Sequence, residues 1–143
     1  MNVLVLRPDD PMLETCLALR HRVFVLEQGV AEDLELDGLD GACAHFLALD
    51  GARPVGAARL RVTGEGRAKA ERVAVRAEAR GQGVGRALMD AIEAEARRRG
   101  HQEVVLNAQD SAIPFYLRLC YVAEGEPFIE AGIVHVKMRR VVA

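Results

Sequence analysis

The sequence predicts a single α+β domain that spans residues 1–143. Three observations support this fold class: short strand-like runs, segments with helical spacing of apolar residues, and no repeat, linker or low-complexity tract. Hydrophobic residues make up 50% of the chain and charged residues 28%, which is the usual balance of a globular protein with a buried core.

The first quarter of the chain carries a strand signal, a helix signal and then an acidic stretch. Residues 2–7 form an apolar run typical of a strand. Asp10 is a predicted helix N-cap followed by Pro11 at the first helical position, and helical spacing continues to about Glu27. Residues 27–42 contain six acidic side chains and no Lys or Arg, and their glycines predict a loop with room for a short helix.

The next segments predict a hairpin and a third strand. Residues 43–49 and 54–62 are expected to pair around Asp50-Gly51, a favourable hairpin turn. In the second of these strands Arg59 and Arg61 alternate with apolar residues, which predicts one face exposed to solvent. A short strand at residues 71–76 then runs directly into a glycine cluster.

The second half of the chain opens with the clearest helix. Apolar residues recur at i, i+3, i+4, i+7 and i+8 from Val84 to Ile92, arginines fill the last turn, and Gly100 follows. A strand at residues 103–109 comes next. Asp110-Ser111 then predicts the start of a helix that extends to about Cys120, and strands near residues 121–125 and 131–140 end the chain.

The bulk properties exclude several classes of protein. A formal charge of -2 gives no reason to expect nucleic acid as a partner. The first apolar run is four residues long, too short for a signal sequence or a membrane span, so we expect a cytoplasmic protein without membrane contact. Three widely spaced cysteines indicate reduced thiols, and four scattered histidines predict no metal site.

The glycine cluster at residues 81–85 follows a strand and opens the long helix. Free N–H groups at a helix start bind phosphate, and glycines at 81, 83 and 85 let the backbone approach it closely. Arg80 and Arg86 add positive charge to the same site. The dinucleotide fingerprint fails because Arg86 stands where its third glycine is needed, and the P-loop fails because no Gly-Lys-Ser/Thr follows. A tight turn that serves only packing is the alternative.

Two motifs in register identify the family that the chain resembles. Arg80-x-x-Gly83-x-Gly85 resembles the R/Q-x-x-G-x-G/A signature of the GNAT superfamily of N-acyltransferases. The segment from Asn107 to Tyr121 resembles that family's N…A…FYxKLGF pattern, with Arg118, Cys120 and Tyr121 as departures from it. Residues 20–45 and 131–138 resemble its ElaA-like branch.

The resemblance implies an α/β/α sandwich, the GNAT acyl-CoA N-acyltransferase fold. Its central sheet is mixed and mostly antiparallel, with helices on both faces and a V-shaped split between strands 4 and 5. The split is expected to hold acetyl-CoA as co-substrate, with no metal. The residues expected to bind it are Val73, Ala74 and Val75 on the strand, Arg80, Gly81, Gln82, Gly83, Val84, Gly85 and Arg86 at the turn, and Asn107.

The resemblance also implies direct attack of a primary amine on the thioester. Tyr116 matches the family's general acid, since a phenol with a pKa of about 10 can donate a proton to a thiolate. Glu71 is the first candidate for the general base. The remaining candidates are Glu27, His45, His135 and a chain of waters.

The sequence is compatible with more than one acceptor amine and more than one oligomeric state. The acceptor is a small-molecule amine or a protein amine, and the acyl group is acetyl or longer. The acidic loop is either a solvated surface or, by hypothesis, the border of the acceptor entrance, where Asp37 and Asp40 would attract a cationic amine. Sheet edges permit a homodimer. The alternatives in function are an acyl-CoA sensor without catalysis and an acyl-homoserine-lactone synthase.

Overall fold

A computed structural model describes all residues, 1–143. Its strands form one mixed sheet in the order β1-β2-β3-β4-β5-β8-β6, with β7 beside β8. Neighbours are antiparallel except for β4 and β5, which run parallel. The strands are β1 (Asn2–Leu6), β2 (Ala44–Asp50), β3 (Arg53–Val62), β4 (Ala68–Val75), β5 (Glu103–Gln109), β6 (Val122–Ala123), β7 (Phe128–Glu130) and β8 (Ile133–Val141).

Four helices cover the two faces of this sheet. They are α1 (Leu13–Arg20), α2 (Glu32–Glu35), α3 (Val84–Arg98) and α4 (Ile113–Arg118), and α1 continues as a π-helix from His21 to Glu27. The larger apolar core lies between the sheet and α3, and a smaller one lies under α1. No helix is long and apolar enough to cross a membrane. Helices on both faces confirm the predicted layering.

The start of α1 differs from the prediction. Asp10 Oδ1 accepts a hydrogen bond from the Met12 amide, and the Asp10 carbonyl accepts one from the Leu13 amide. Asp10 therefore stabilises a turn that precedes the helix, and α1 begins at Leu13 rather than at Pro11. The predicted short helix in the acidic stretch is confirmed as α2.

The split between β4 and β5 is also confirmed. The two strands pair only over residues 68–70 and 104–106, and beyond these residues they separate. A β-bulge at Arg72, whose φ is 56°, shifts the register of β4 against β3. The bulge reverses the alternation of β4: Ala70 packs in the core under α3, whereas Ala74 packs in the core under α1. Val73 and Val75 therefore line the open part of the split.

The prediction that one face of β3 is exposed to solvent is wrong. The Arg59 side chain is fully buried, and its guanidinium binds Asp37, Asp40 and Glu71. The acidic stretch folds over this face of the sheet and supplies the carboxylates that a buried arginine requires. Strand β4 is longer than predicted because Ala68 and Ala70 continue it toward its N-terminus.

The two departures from the family pattern after α4 have separate structural consequences. Cys120, where the family has glycine, adopts a left-handed conformation with φ 71°. The Tyr121 hydroxyl donates a 2.8 Å hydrogen bond to buried Glu93, which also accepts one from Arg140 Nη1. Tyr121 is thus part of the core.

Candidate active site

A cavity of about 1040 Å³ opens where β4 and β5 separate. Its walls come from the end of the π-helix, the acidic stretch, strands β3 and β4, the glycine turn, strand β5, helix α4 and the β7–β8 hairpin. Cavities at strand splits of this size accommodate cofactors and small molecules. Most of the sequence-predicted site residues meet here, although they are spread from Glu27 to His135 along the chain.

The glycine turn presents a run of unused amides to this cavity. None of the amide groups from Gly81 to Arg86 donates a hydrogen bond within the chain, and the first backbone donation of α3 runs from Ala87 to the Gly83 carbonyl. Gly81 and Gly83 adopt φ values of 77° and 82°, which turn the chain into the helix. The positive end of the α3 dipole reinforces these donors, so the turn has the geometry of an anion site.

The three glycines of the turn serve different purposes. A Cβ at Gly81 or Gly83 would meet no atom within 4 Å, so these two positions face open space. A Cβ at Gly85 would lie 3.0 Å from Phe115 Cζ. The packing interpretation of the turn therefore applies to Gly85, which lets α4 approach α3.

Arg80 flanks the turn with its charge already engaged. Its guanidinium donates to both oxygens of Glu27 at 2.6 and 2.9 Å, and its Nε donates to the Val75 carbonyl at 3.1 Å. The hydrogen bond from Arg80 lowers the pKa of Glu27. Glu27 is therefore a weak candidate for the general base.

Strand residues on the two sides of the split face each other across the cavity. Val73 and Val75 line it from β4, whereas the Ala74 side chain is buried on the other face. Asn107 lines it from β5 and donates from Nδ2 to Glu130 Oε2 at 3.4 Å. Across one end of the cleft, Gln109 donates to Gln28 at 2.8 Å.

Tyr116 reaches the cavity from α4. Its ring packs edge-on against Phe115 and Tyr121, with centroid distances of 4.9 and 5.7 Å. Burial raises the pKa of its phenol, and no ion pair contributes to the shift. The phenol therefore keeps its proton at neutral pH and can donate it.

Glu71 lines the cavity and is surrounded by three cationic side chains. Its carboxylate accepts hydrogen bonds from Arg59 and Arg61, and Lys69 Nζ lies 3.1 Å from it. Burial alone would raise the pKa of Glu71, but the hydrogen bond from Arg61 and the charges of Arg59 and Lys69 lower it to about 2. A carboxylate this acidic is a poor proton acceptor, which argues against the prediction that Glu71 is the general base.

The two candidate histidines occupy different environments. His45 is fully buried outside the cavity, its Nε2 lies 2.9 Å from the Asp40 carbonyl, and burial lowers its pKa. His135 lines the cavity with its Nδ1 2.7 Å from the Ile133 carbonyl. Because a carbonyl only accepts, that Nδ1 carries the proton, and the lone pair of neutral His135 is on Nε2. Of the two, only His135 has the geometry of a base.

The acidic loop forms ion pairs with arginines of its own chain. Asp37 binds Arg59 in a bidentate pair at 2.6 and 3.0 Å, and Asp40 bridges Arg20 and Arg59 at 2.7 and 3.0 Å. Hydrogen bonds from Arg59 hold the pKa of Asp37 well below its usual range. These carboxylates stabilise the loop against the sheet, so little of their charge is left to attract a cationic amine.

Six charged cavity residues were not among the sequence candidates for the site: Glu35, Arg61, Lys69, Arg72, Arg118 and Glu130. A signal existed for two of them, since Arg61 and Lys69 occupy alternating positions on strands that flank one turn. No local signal pointed to Glu130 or to Arg72 at the bulge. No group of His, Cys, Asp and Glu side chains in the structure is arranged to hold a metal ion.

Residues 13–142 match the acetyltransferase (GNAT) domain family. The chain belongs to this family. It is 37% identical over 137 residues, 95% of its length, to the uncharacterized N-acetyltransferase YjcF of Bacillus subtilis, of which the match covers 97%. The fold is therefore the GNAT acyl-CoA N-acyltransferase fold, and the protein is an acyltransferase, as the two motifs predicted.

Solved structures agree with this assignment over nearly the whole chain. An acyl-CoA N-acyltransferase from Pseudomonas aeruginosa is 34% identical with a TM-score of 0.86, and the match covers 98% of this chain and 99% of that one. ElaA of Escherichia coli is 28% identical with a TM-score of 0.84, and the match covers 97% and 98%. The family uses acyl-CoA as donor, which fits an anion site at the glycine turn.

Proposed function

We propose that this GNAT protein, a member of the ElaA-like branch, transfers an acetyl group from acetyl-CoA to a primary amine within a ternary complex. The observation that carries the proposal is the run of free amides from Gly81 to Arg86 at the edge of the β4–β5 cavity. A pyrophosphate supplies the acceptors that six consecutive unused donors require.

The donor arm of acetyl-CoA is proposed to lie along the edge of β4. Beyond Ala70 this edge has no strand partner on the β5 side, so the backbone groups of Val73, Ala74 and Val75 that point to this side are proposed to bind the pantetheine amides. The Val75 carbonyl is the exception, since it accepts a hydrogen bond from Arg80 Nε. The Asn107 side chain adds a polar group on the facing wall. The thioester then lies within the split, where attack by a bound amine becomes effectively unimolecular.

His135, rather than Glu71, is proposed as the general base that accepts a proton from the acceptor ammonium. The Nδ1–H group of His135 is held by the Ile133 carbonyl, which leaves Nε2 as the proton acceptor. Glu130 Oε2 lies 3.9 Å from that nitrogen and stabilises the imidazolium that forms. Stacking on Phe128, at a ring-centroid distance of 5.9 Å, fixes the orientation of the ring.

Tyr116 is proposed as the general acid. When the amine nitrogen forms its bond to the thioester carbon, the carbon–sulfur bond breaks and the thiolate must be protonated. The raised pKa of Tyr116 keeps its phenol protonated until that moment.

Binding and turnover measurements test the proposal directly. Calorimetry with acetyl-CoA and with desulfo-CoA should give a one-to-one complex, and thiol release should accompany acetylation of at least one amine in a chemically diverse panel. Absence of acetyl-CoA binding would refute the donor assignment. Binding without turnover of any small amine or peptide amine would favour the sensor function. The cytoplasmic location and the homodimer stay predictions.

A further inference from the structure

The cavity wall formed by β3 and β4 presents partly exposed positive charge. The side chains of Arg61 and Lys69 keep exposed fractions of 24% and 17% and both line the cavity. They lie directly opposite each other in the antiparallel register of β3 and β4. Like charges at facing positions repel, and within the chain Glu71 alone offsets this repulsion, since its carboxylate contacts both side chains.

The chain supplies too little negative charge to neutralise this wall. The network contains five cations and four carboxylates: Arg20, Arg59, Arg61, Lys69 and Arg72 against Glu35, Asp37, Asp40 and Glu71. Only Glu71 contacts Arg61 and Lys69, and it also binds Arg59. The network as a whole therefore carries one unit of positive charge.

The donors of Arg61 and Lys69 are not saturated. Arg61 donates to Glu71 from Nε at 2.9 Å and from Nη2 at 3.2 Å, and its Nη1 has no acceptor in the chain. Lys69 Nζ has Glu71 as its single carboxylate within 4 Å, although an ammonium has three donors. Two adjacent cations therefore have hydrogen bonds to offer to a group in the cavity.

The opposite wall has the reverse character. Glu130 on β7 places its carboxylate 3.9 Å from His135 Nε2 and accepts a hydrogen bond from Asn107. The cavity thus has a cationic wall on β3–β4 and a wall with a carboxylate and an imidazole on β7–β8. A molecule with separated negative and positive groups complements both walls at once.

On the basis of the proposed function, we propose that the acceptor is an amine that also carries a compact anionic group, a carboxylate or a phosphate. That group binds Arg61 Nη1 and Lys69 Nζ through charge-assisted hydrogen bonds, and the ammonium faces Glu130 and His135. In this proposal the cationic wall, and not the acidic loop, selects the substrate. Asp37 and Asp40 already form ion pairs with arginines of the chain.

Matched acceptor pairs test the proposal on the unmodified enzyme. Each pair shares an amine and differs in the anionic group: amino acids against their carboxamides, and phosphoethanolamine against ethanolamine. We expect the anionic member to show a kcat/KM higher by roughly tenfold to a hundredfold, the range of one or two charge-assisted hydrogen bonds. The two types of pair distinguish a carboxylate from a phosphate. Equal or greater kcat/KM for the neutral members would overturn the proposal.

Variants locate the anion site. Lys69→Met and Arg61→Met should raise the KM for the anionic member of each acceptor pair about tenfold. The KM for the neutral member of the pair and the Kd for acetyl-CoA should stay unchanged. Arg98→Met, which removes an exposed charge at the end of α3, is the matched control. An equal rise of KM for both members of a pair would refute the assignment. If the unmodified enzyme does not bind acetyl-CoA, the proposed function is refuted instead.

Discussion

Arg80 and Glu27, separated by 53 residues in the chain, form a bidentate ion pair beside the glycine turn at 2.6 and 2.9 Å. The pair joins the end of the π-helix to the start of the anion site. It also means that Arg80, which the sequence offered as a phosphate ligand, is shared with a carboxylate before any donor binds.

Replacing Glu27 should therefore tighten binding of acetyl-CoA. We expect Glu27→Gln to lower the Kd about two- to fivefold, because an exposed ion pair contributes up to ~1 kcal/mol that Arg80 can then give to the ligand. The gain should shrink at high salt. Calorimetry at two ionic strengths measures it, with Glu32→Gln on exposed α2 as control. Weaker binding by Glu27→Gln would contradict this role of the pair.

A carboxylate at Gly83 should abolish binding of the donor. Gly83→Asp places a negative charge among the free amides, and we expect the Kd for acetyl-CoA to rise at least about a hundredfold through repulsion of the pyrophosphate. Gly66→Asp is a close control, since Gly66 has φ 80° and open space at its Cβ but lies outside the cavity. Similar affinity in both variants would refute the anion site.

The two buried tyrosines should separate catalysis from stability. Tyr116→Phe is expected to lower kcat about a hundredfold, as for loss of a general acid, without a change in acetyl-CoA affinity. Tyr121→Phe should leave kcat unchanged and lower the free energy of unfolding by about 1 kcal/mol, because Glu93 loses a hydrogen-bond donor. Steady-state kinetics and urea denaturation measure these effects. Full activity in Tyr116→Phe would exclude its role as acid.

The base should appear in the pH profile of the reaction. We expect His135→Gln to lower kcat/KM about a hundredfold and to remove the acid limb of the profile, since the proton acceptor is then gone. His101→Gln, at a histidine outside the cavity, is the control. If Glu71→Gln removes the acid limb and His135→Gln does not, then the original prediction of Glu71 as base is correct.

The stability of the fold should fall in acid because of Glu71. Its pKa of about 2 in the folded protein lies below the ordinary 4.5, so the ionised form stabilises the fold above pH 4.5. That stabilisation, about 3 kcal/mol, is lost as the pH falls from 4.5 toward 2. Urea unfolding at pH 7 and pH 3 should show a smaller difference for Glu71→Gln than for the native protein. An unchanged difference would contradict this linkage.

Features encoded by neighbouring residues could be predicted well from the sequence. Strand β5 has the predicted bounds, and α3 begins at Val84 and ends within two residues of expectation. The glycine turn lies between a strand and that helix because periodicity and capping are local properties. The start of α1 at Leu13 shows the limit. Asp10-Pro11 has the local pattern of a helix start, but Asp10 accepts a hydrogen bond from the Met12 amide in a turn before the helix.

The sequence by itself thus determined the fold class and the family and predicted the donor site, since each depends on contiguous motifs. Only the tertiary structure decided which charged side chains are buried in ion pairs and which face the cavity. Arg59 alternates with apolar residues like any exposed strand arginine, but Asp37, 22 residues away, folds over it and buries it. The same network lowers the proton affinity of Glu71 and leaves Arg61 and Lys69 facing the cavity. A charged side chain acquires its role from its partners, and those partners come from distant parts of the chain.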